Sequence, residues 1–302
     1  MPYIVLEELA MAMLRGLRPD LTNLTDRIAS LSWLDTPAKK MHAANDAILG
    51  ENGSPPLKDA LYGTWLGHPL HPLMTDLPIG FWTSSAVLDL AGEERASDLM
   101  LGIGTVSALG AAATGYAQWH DVQEMEAPRR LGTLHAMLNV SATACYGVSW
   151  LLRSRRQRTA GIVFSTAGLT LATAGGLLGG DLAYRLGIGV SRVAFEEPSR
   201  EWEEVATDSD LEDGVMRRVE TSFGALVLLK DSGSIIAASA TCTHVGGPLD
   251  EGELDATCVT CPWHGSVFDL RDGSVVHGPA TTPLHAFETR IRAGQVEVRV
   301  RA

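Results

Sequence analysis

Three uncharged apolar stretches, each of helix length, constrain the fold of this chain more than any other feature. They run Leu99–Trp119, Leu131–Leu152 and Thr159–Gly180; a shorter one, Leu77–Gly92, precedes them and carries Asp89. A helix of about 20 predominantly apolar residues spans the hydrocarbon core of a bilayer. A soluble bundle would need a polar outer face on each helix, and none of these stretches shows one. The pattern therefore predicts a four-helix transmembrane bundle over residues 61–190, its first helix tilted or ending at the interface. Gly102, Gly104, Gly110 and Gly115, and the pairs Gly175/Gly179 and Gly176/Gly180, supply the small residues that close helix packing in lipid favours.

Composition changes near Ser199. Residues 201–302 hold 17 acidic and 8 basic side chains and the rest of the chain 19 and 16, so most of the net charge of −12 sits in the last third. An acidic surface repels nucleic acid and favours a partner with a basic face. Here the pattern turns to short β-rich runs bounded by turn residues: Gly224–Lys230, Ser234–Ser239, Ser266–Leu270 and Gln295–Val300. They predict a small antiparallel β-sandwich. The expected class is multidomain α plus β, divided into a peripheral helical segment (1–60), the bundle (61–190), a linker (191–200) and the β domain (201–302).

Two boxes in the β region carry the chemistry. Cys242-Thr-His244 leads into Val245-Gly246-Gly247-Pro248-Leu249, and Cys261-Pro-Trp-His264 into Gly265-Ser266; Gly278-Pro279-Ala280 follows. Each box offers one thiolate and one imidazole. Zinc fingers instead group their ligands as a Cys pair followed by a His pair. Two Cys on one iron and two His on the other is the ligand set of a Rieske centre. Cys258, in the strand entering the second box, reads as a core residue, and Cys145 as a small buried hydrophobe in an apolar helix.

From Glu201 to Ala302 the chain closely resembles the Rieske ferredoxin family. The resemblance implies one [2Fe-2S] cluster bound by Cys242, His244, Cys261 and His264, with Gly246, Ser266 and Pro279 in the surrounding loops and both histidines at an exposed tip where a partner docks. Trp263 lies beside that tip, as a docking contact or a packing residue. The extra cysteines that form a disulfide in respiratory members are replaced by Gly247 and Trp263. Ser266 matches a hydroxyl that donates to a cluster sulfur, while Phe268 stands where a second donor, a Tyr, is usual. Fewer donors stabilise the reduced state less, which predicts a potential in the lower half of the roughly −150 to +300 mV Rieske range.

A second resemblance covers about Leu61 to Val190. Leu66-Gly-His68-Pro-Leu-His71-Pro-Leu-Met-Thr-Asp76-Leu-Pro78-Ile-Gly80 and Gly179-Gly-Asp181-Leu-Ala-Tyr184-Arg185 look like a bacterial family of four-helix membrane domains of unknown function, sometimes fused to a Rieske domain. It brings no activity with it. Four spans place His68, His71, His120, His135, Asp181, Tyr184 and Arg185 on the cluster's side of the membrane. These histidines could hold haem b, with His71 and His135 as the first choice of axial pair, or a metal or quinone. Capping helices and bonding backbone carbonyls is the commoner use of such groups and the favoured reading. The starts of the first and third helices are faintly alike, as duplicated pairs or by chance.

Met1-Pro-Tyr-Ile-Val-Leu-Glu-Glu lacks the basic start of a secretory signal. Short amphipathic helices are expected over Leu6–Leu17 and Pro37–Leu49, with a loop from Gly50 to Pro56. Four Arg between Arg153 and Arg158 argue for that loop being cytoplasmic; the unaided export of a long N-terminal segment argues against it. Cluster assembly and free thiols tip the expectation to a multi-pass protein of the cell membrane with a cytoplasmic cluster. No nicotinamide or flavin fingerprint is present, since Gly102-Ile-Gly104 lies within an apolar stretch. After Arg217 the only histidines outside the boxes are His277 and His285, too few for a separate mononuclear iron site. The expected function is a membrane-anchored carrier of single electrons to or from a redox protein (a reductase, an oxygenase or a cytochrome). The alternatives are a quinol- or haem-linked oxidoreductase and a redox sensor.

Overall fold

A computed structural model describes residues 21–49 and 55–301. The helix expected over Leu6–Leu17 and most of the loop from Gly50 lie outside the described residues. Among the described residues seven α-helices come first: α1 (Leu21–Ala29), α2 (Asp35–Leu49), α3 (Pro55–Tyr62), α4 (Leu70–Leu90), α5 (Glu94–His120), α6 (Glu126–Ser154) and α7 (Arg158–Gly180). Among the described residues ten strands follow: β1 (Glu203–Thr207), β2 (Met216–Thr221), β3 (Gly224–Asp231), β4 (Ser234–Ser239), β5 (Glu253–Asp255), β6 (Cys258–Thr260), β7 (Val267–Asp269), β8 (Val275–His277), β9 (Ala286–Arg292) and β10 (Gln295–Val300). Helix α3 begins inside the expected loop. Its Pro55-Pro56 pair starts the helix, where a missing N–H costs nothing.

Helices α4 to α7 pair through small residues facing large ones. A Cβ on Gly104 would lie 2.7 Å from the Trp82 ring, and one on Gly168 would lie 2.9 Å from Tyr146. Those two rings stack at 4.0 Å and 9°. Gly175 and Gly179 press on Asn139 and His135, whereas Gly176 meets nothing within 4 Å. Only one of the two small-residue pairs in α7 thus serves packing. Among the described residues two helical runs, Glu94–His120 and Arg158–Arg185, are long and apolar enough to cross a membrane. Asp76 and Asp89 in α4, and the polar run Asn139, Ser141, Thr143 and Ser149 in α6, explain why the other two are less apolar.

At one end of these helices a buried ion cluster ties all four together. Arg153 on α6 holds Asp89 of α4 at 2.6 Å and Asp98 of α5 at 3.0 Å. Arg158, opening α7, holds Asp89 at 2.6 Å. Ser97 and Ser165 also take hydrogen bonds from Arg153. A buried guanidinium is tolerable only when its donors are matched in this way.

The β region forms two antiparallel sheets, a six-stranded one ordered β1-β10-β9-β4-β3-β2 and a four-stranded one ordered β5-β6-β7-β8. Central strand β3 (Gly224–Asp231) shows why. Ala225, Val227 and Leu229 face one core with Val259 and Phe268, and Leu226 and Leu228 face the other with Phe287 and Val296. Alternate side chains point to opposite faces of a strand, so β3 is buried on both. The expected strands all form, Ser266–Leu270 shortened to β7 (Val267–Asp269). Cys242 and Cys261 close one end of the first core.

Candidate metal centre

Two loops with matching backbones present the boxes. The Cys242 N–H donates to Gly247 O and the Gly246 N–H to Cys242 O; the Cys261 N–H donates to Ser266 O and the Gly265 N–H to Cys261 O, all at 2.8–3.1 Å. Gly246 and Gly265 take φ of 90° and 74°, the left-handed region that glycine enters without strain. One thiol and one imidazole therefore leave each loop in the same sense, although the boxes differ in spacing.

The sulfurs are buried, with Cys242 1% and Cys261 2% exposed. They face each other closely enough to share a proton. Donation from Cys242, then the Trp263 and His264 N–H groups, hold the Cys261 thiol down to about 6. Donation to Cys261, with burial second, pushes Cys242 up. The Ser266 hydroxyl points at the Cys242 sulfur and accepts the Ala280 N–H at 3.0 Å. The imidazoles of His244 and His264 meet edge to face, 5.1 Å between centroids. A Cβ on Gly247 would lie 2.7 Å from Cys261 Sγ and 3.2 Å from the Trp263 ring. Phe268 is fully buried and donates nothing. Gly278-Pro279, joined by a cis bond, forms the third loop. Cys258 is half-buried, and so is Cys145, against the expectation of a buried residue.

The donor set fits a [2Fe-2S] cluster. His244 Nδ1 is buried with no hydrogen-bond partner, a costly state unless something else binds it. Two thiols stand opposite, supported by N–H and O–H donors of the kind that stabilise thiolates. Among the described residues no three His, Cys, Asp or Glu side chains are grouped to hold a single metal ion. A centre with two protein donors on each of two irons does not require such a group.

The expected exposed tip is not what the structure shows. His244 is only 15% exposed in its side chain, because the helical region covers it. Tyr62, ending α3, sets its ring edge-on to His244 at 6.5 Å, and its hydroxyl donates to Ala117 O at 2.8 Å. Burial, with Asp121 second, raises the Tyr62 phenol well above its usual value. Asp121, just after α5, places Oδ2 3.3 Å from His244 Nε2. Its backbone carbonyl faces the His264 ring, whose pKa burial lowers against the pull of Asp121. Asp59 on α3 accepts the Gly278 N–H at 2.8 Å and pairs with His277 Nδ1 at 2.9 Å, so α3 also grips the third loop. A cavity of about 40 Å³, enough for a water or two, is lined by Tyr62, Asp121, Ser191, Thr243 and His244. The sequence pointed to none of Tyr62, Asp59 or Asp121.

The four bundle histidines do not form one group, although His71 and His135 lie near enough to feel each other's charge. His71 Nδ1 lies 3.2 Å from Thr114 Oγ1, and His135 Nδ1 donates to Gly175 O at 2.7 Å. His68 is exposed beside Pro69 O. His120 sits near His264, with its ring 5.4 Å from that of His42.

Residues 201–288 match the Rieske [2Fe-2S] domain family. Residues 67–192 match a family described as a predicted membrane protein, DUF2231. Ferredoxin CarAc of Metapseudomonas resinovorans is 36% identical over 98 residues, 32% of this chain and 92% of that protein. The chain is a Rieske [2Fe-2S] family member, joined to a DUF2231 domain. Apoptosis-inducing factor 3 of Mus musculus is 40% identical over 90 residues, 30% of this chain but only 15% of that protein. The ferredoxin complex of carbazole 1,9a-dioxygenase includes a chain 33% identical at a TM-score of 0.32, over 33% of this chain and 94% of that one.

Proposed function

We propose that this protein is a membrane-anchored Rieske electron carrier, with Cys242, His244, Cys261 and His264 as the cluster's four ligands. The observation that carries this is the convergence of two buried thiols and two crossed imidazoles, one with a buried, unpartnered Nδ1. When bound, a Rieske cluster accepts and releases one electron at a time. The chain's residues hold and insulate it: the cysteines offer sulfur from the sandwich core, the histidines nitrogen from the loop tips, and Ser266 steadies the Cys242 sulfur. The likeness to CarAc, a ferredoxin, favours transfer to or from a separate redox protein.

The division into segment, bundle, linker and Rieske domain belongs to the same proposal, with α4 to α7 in the bilayer. Their outward side chains support it: Leu90 is 91% exposed, and Leu99, Val106, Leu109, Val140 and Val163 are exposed too, a surface water would disfavour. With His244 covered, the open approach to the site is at Pro262 and Trp263, and Trp263 is 55% exposed. A basic partner docking there suits the acidic domain. The cluster faces the cytoplasm, where it is assembled. The bundle histidines give no support to haem b. The test is to purify the protein from detergent-solubilised membranes and assay iron, acid-labile sulfide and the EPR of the reduced state. Equal iron and sulfide with a mixed nitrogen–sulfur spectrum is the expected result. Protein without sulfide, or found free of the membrane fraction, overturns the proposal.

A further inference from the structure

We infer that Asp121 is a positioning residue for both imidazoles of the metal centre, so that the helical domain completes the site and tunes it. The inference rests on the ligand reading above. Asp121 follows α5, more than 100 residues before the first box, yet it meets both histidines. Its Oδ2 lies 3.3 Å from His244 Nε2, and its backbone carbonyl faces the His264 ring. The carboxylate is buried, and Oδ2 has no well-aligned hydrogen-bond donor. A buried carboxylate oxygen without a donor is costly, so this one is placed to receive a donor that the site itself supplies.

Metal ligation supplies it. An imidazole bound through Nδ1 carries its proton on Nε2, and in His244 the unpartnered nitrogen is Nδ1 while Nε2 is the atom at Asp121. Loading the site therefore fixes the tautomer whose N–H points at Oδ2. A second partner of this kind orients a metal-bound histidine and makes it a stronger donor. Tyr62 and Asp59 on α3 hold the helical region against the same loops, which keeps Asp121 in place. Negative charge beside the imidazole favours the more positive, oxidised state of the centre. Asp121 should therefore lower the reduction potential.

The test compares full-length wild type, Asp121→Asn and Asp121→Glu at one fixed pH, by voltammetry and by nitrogen and proton ENDOR of the reduced state. The expected result is an upward potential shift and altered remote-nitrogen couplings in D121N, both moved back toward wild type in D121E. A cluster-bearing D121N with wild-type potential and couplings overturns the inference and leaves the ligand reading intact. Wild type without sulfide overturns the ligand reading, and this inference with it. A second measurement needs no variant. In wild type the exchangeable His244 imidazole proton should outlast mixing into D2O, because Asp121 and Tyr62 cover it. Its loss within the mixing time overturns the inference even if D121N does not fold.

Discussion

Ser266 shows how one side chain joins the core to the site. Its hydroxyl is fully buried, accepts from Ala280 and points at the Cys242 sulfur. Ser266→Ala removes a donor that favours the reduced state. A hydrogen bond to a charged group contributes about 1.5–3 kcal/mol, and 59 mV corresponds to a tenfold change for one electron. The potential should therefore fall by up to about 65–130 mV, read by voltammetry; an unchanged value would remove Ser266 from the site. Gly247 sets a steric limit. Gly247→Ala puts a methyl group 2.7 Å from Cys261 Sγ and 3.2 Å from the Trp263 ring. Cluster occupancy should drop well below wild type, measured as sulfide per chain. The cysteine and histidine boxes were legible in the sequence because such pairs, flanked by Gly and Pro, are rare and local. Asp121, Asp59 and Tyr62 were not, because each is an ordinary residue that gains meaning only when helices distant in sequence are brought to the loops.

Among the elements, two ion clusters fix how the helices meet. Arg153→Ala would leave Asp89 and Asp98 with Arg158 alone. Removing one partner of a buried pair typically costs about 3–5 kcal/mol, and the remaining Arg158 places the expected loss at the low end. A thermal shift of the detergent-solubilised protein reads it; a wild-type midpoint would contradict the role given to this cluster. Asp35, opening α2, binds Arg130 and Arg129 of α6. Its hydrogen bonds to Arg130, then to Arg129, hold its carboxyl well below the ordinary range. A depressed carboxyl stabilises the fold above its unfolded pKa, near 4, and that contribution is lost as pH falls through the folded value. Hydrogen exchange in α2 should accordingly rise below about pH 4, and should already be raised at neutral pH in Asp35→Asn. The helices themselves were readable from their apolar runs. Their ends were not: α4 starts seven residues before Leu77, because Pro69 and Pro72 fall where a helix can begin.

As a whole, the proposed cluster site lies where the helical region meets the β region. The β region carries the four proposed ligands, and the helical region covers His244. This contact reverses the expectation of a bare histidine tip, for which a Rieske domain considered alone gives no correction. Asp59 is the lever that tests it. Asp59→Ala releases the Gly278 N–H and His277, so hydrogen exchange should rise together around residues 277–281 and 118–123; a change confined to α3 would mean that the domains do not depend on each other. The central claim is the mixed ligation itself, and ENDOR on the reduced protein purified from membranes tests it most directly. The account predicts coupling to two imidazole nitrogens, both lost when His244 and His264 are replaced. An all-sulfur spectrum, or one in which those replacements change nothing, would contradict it.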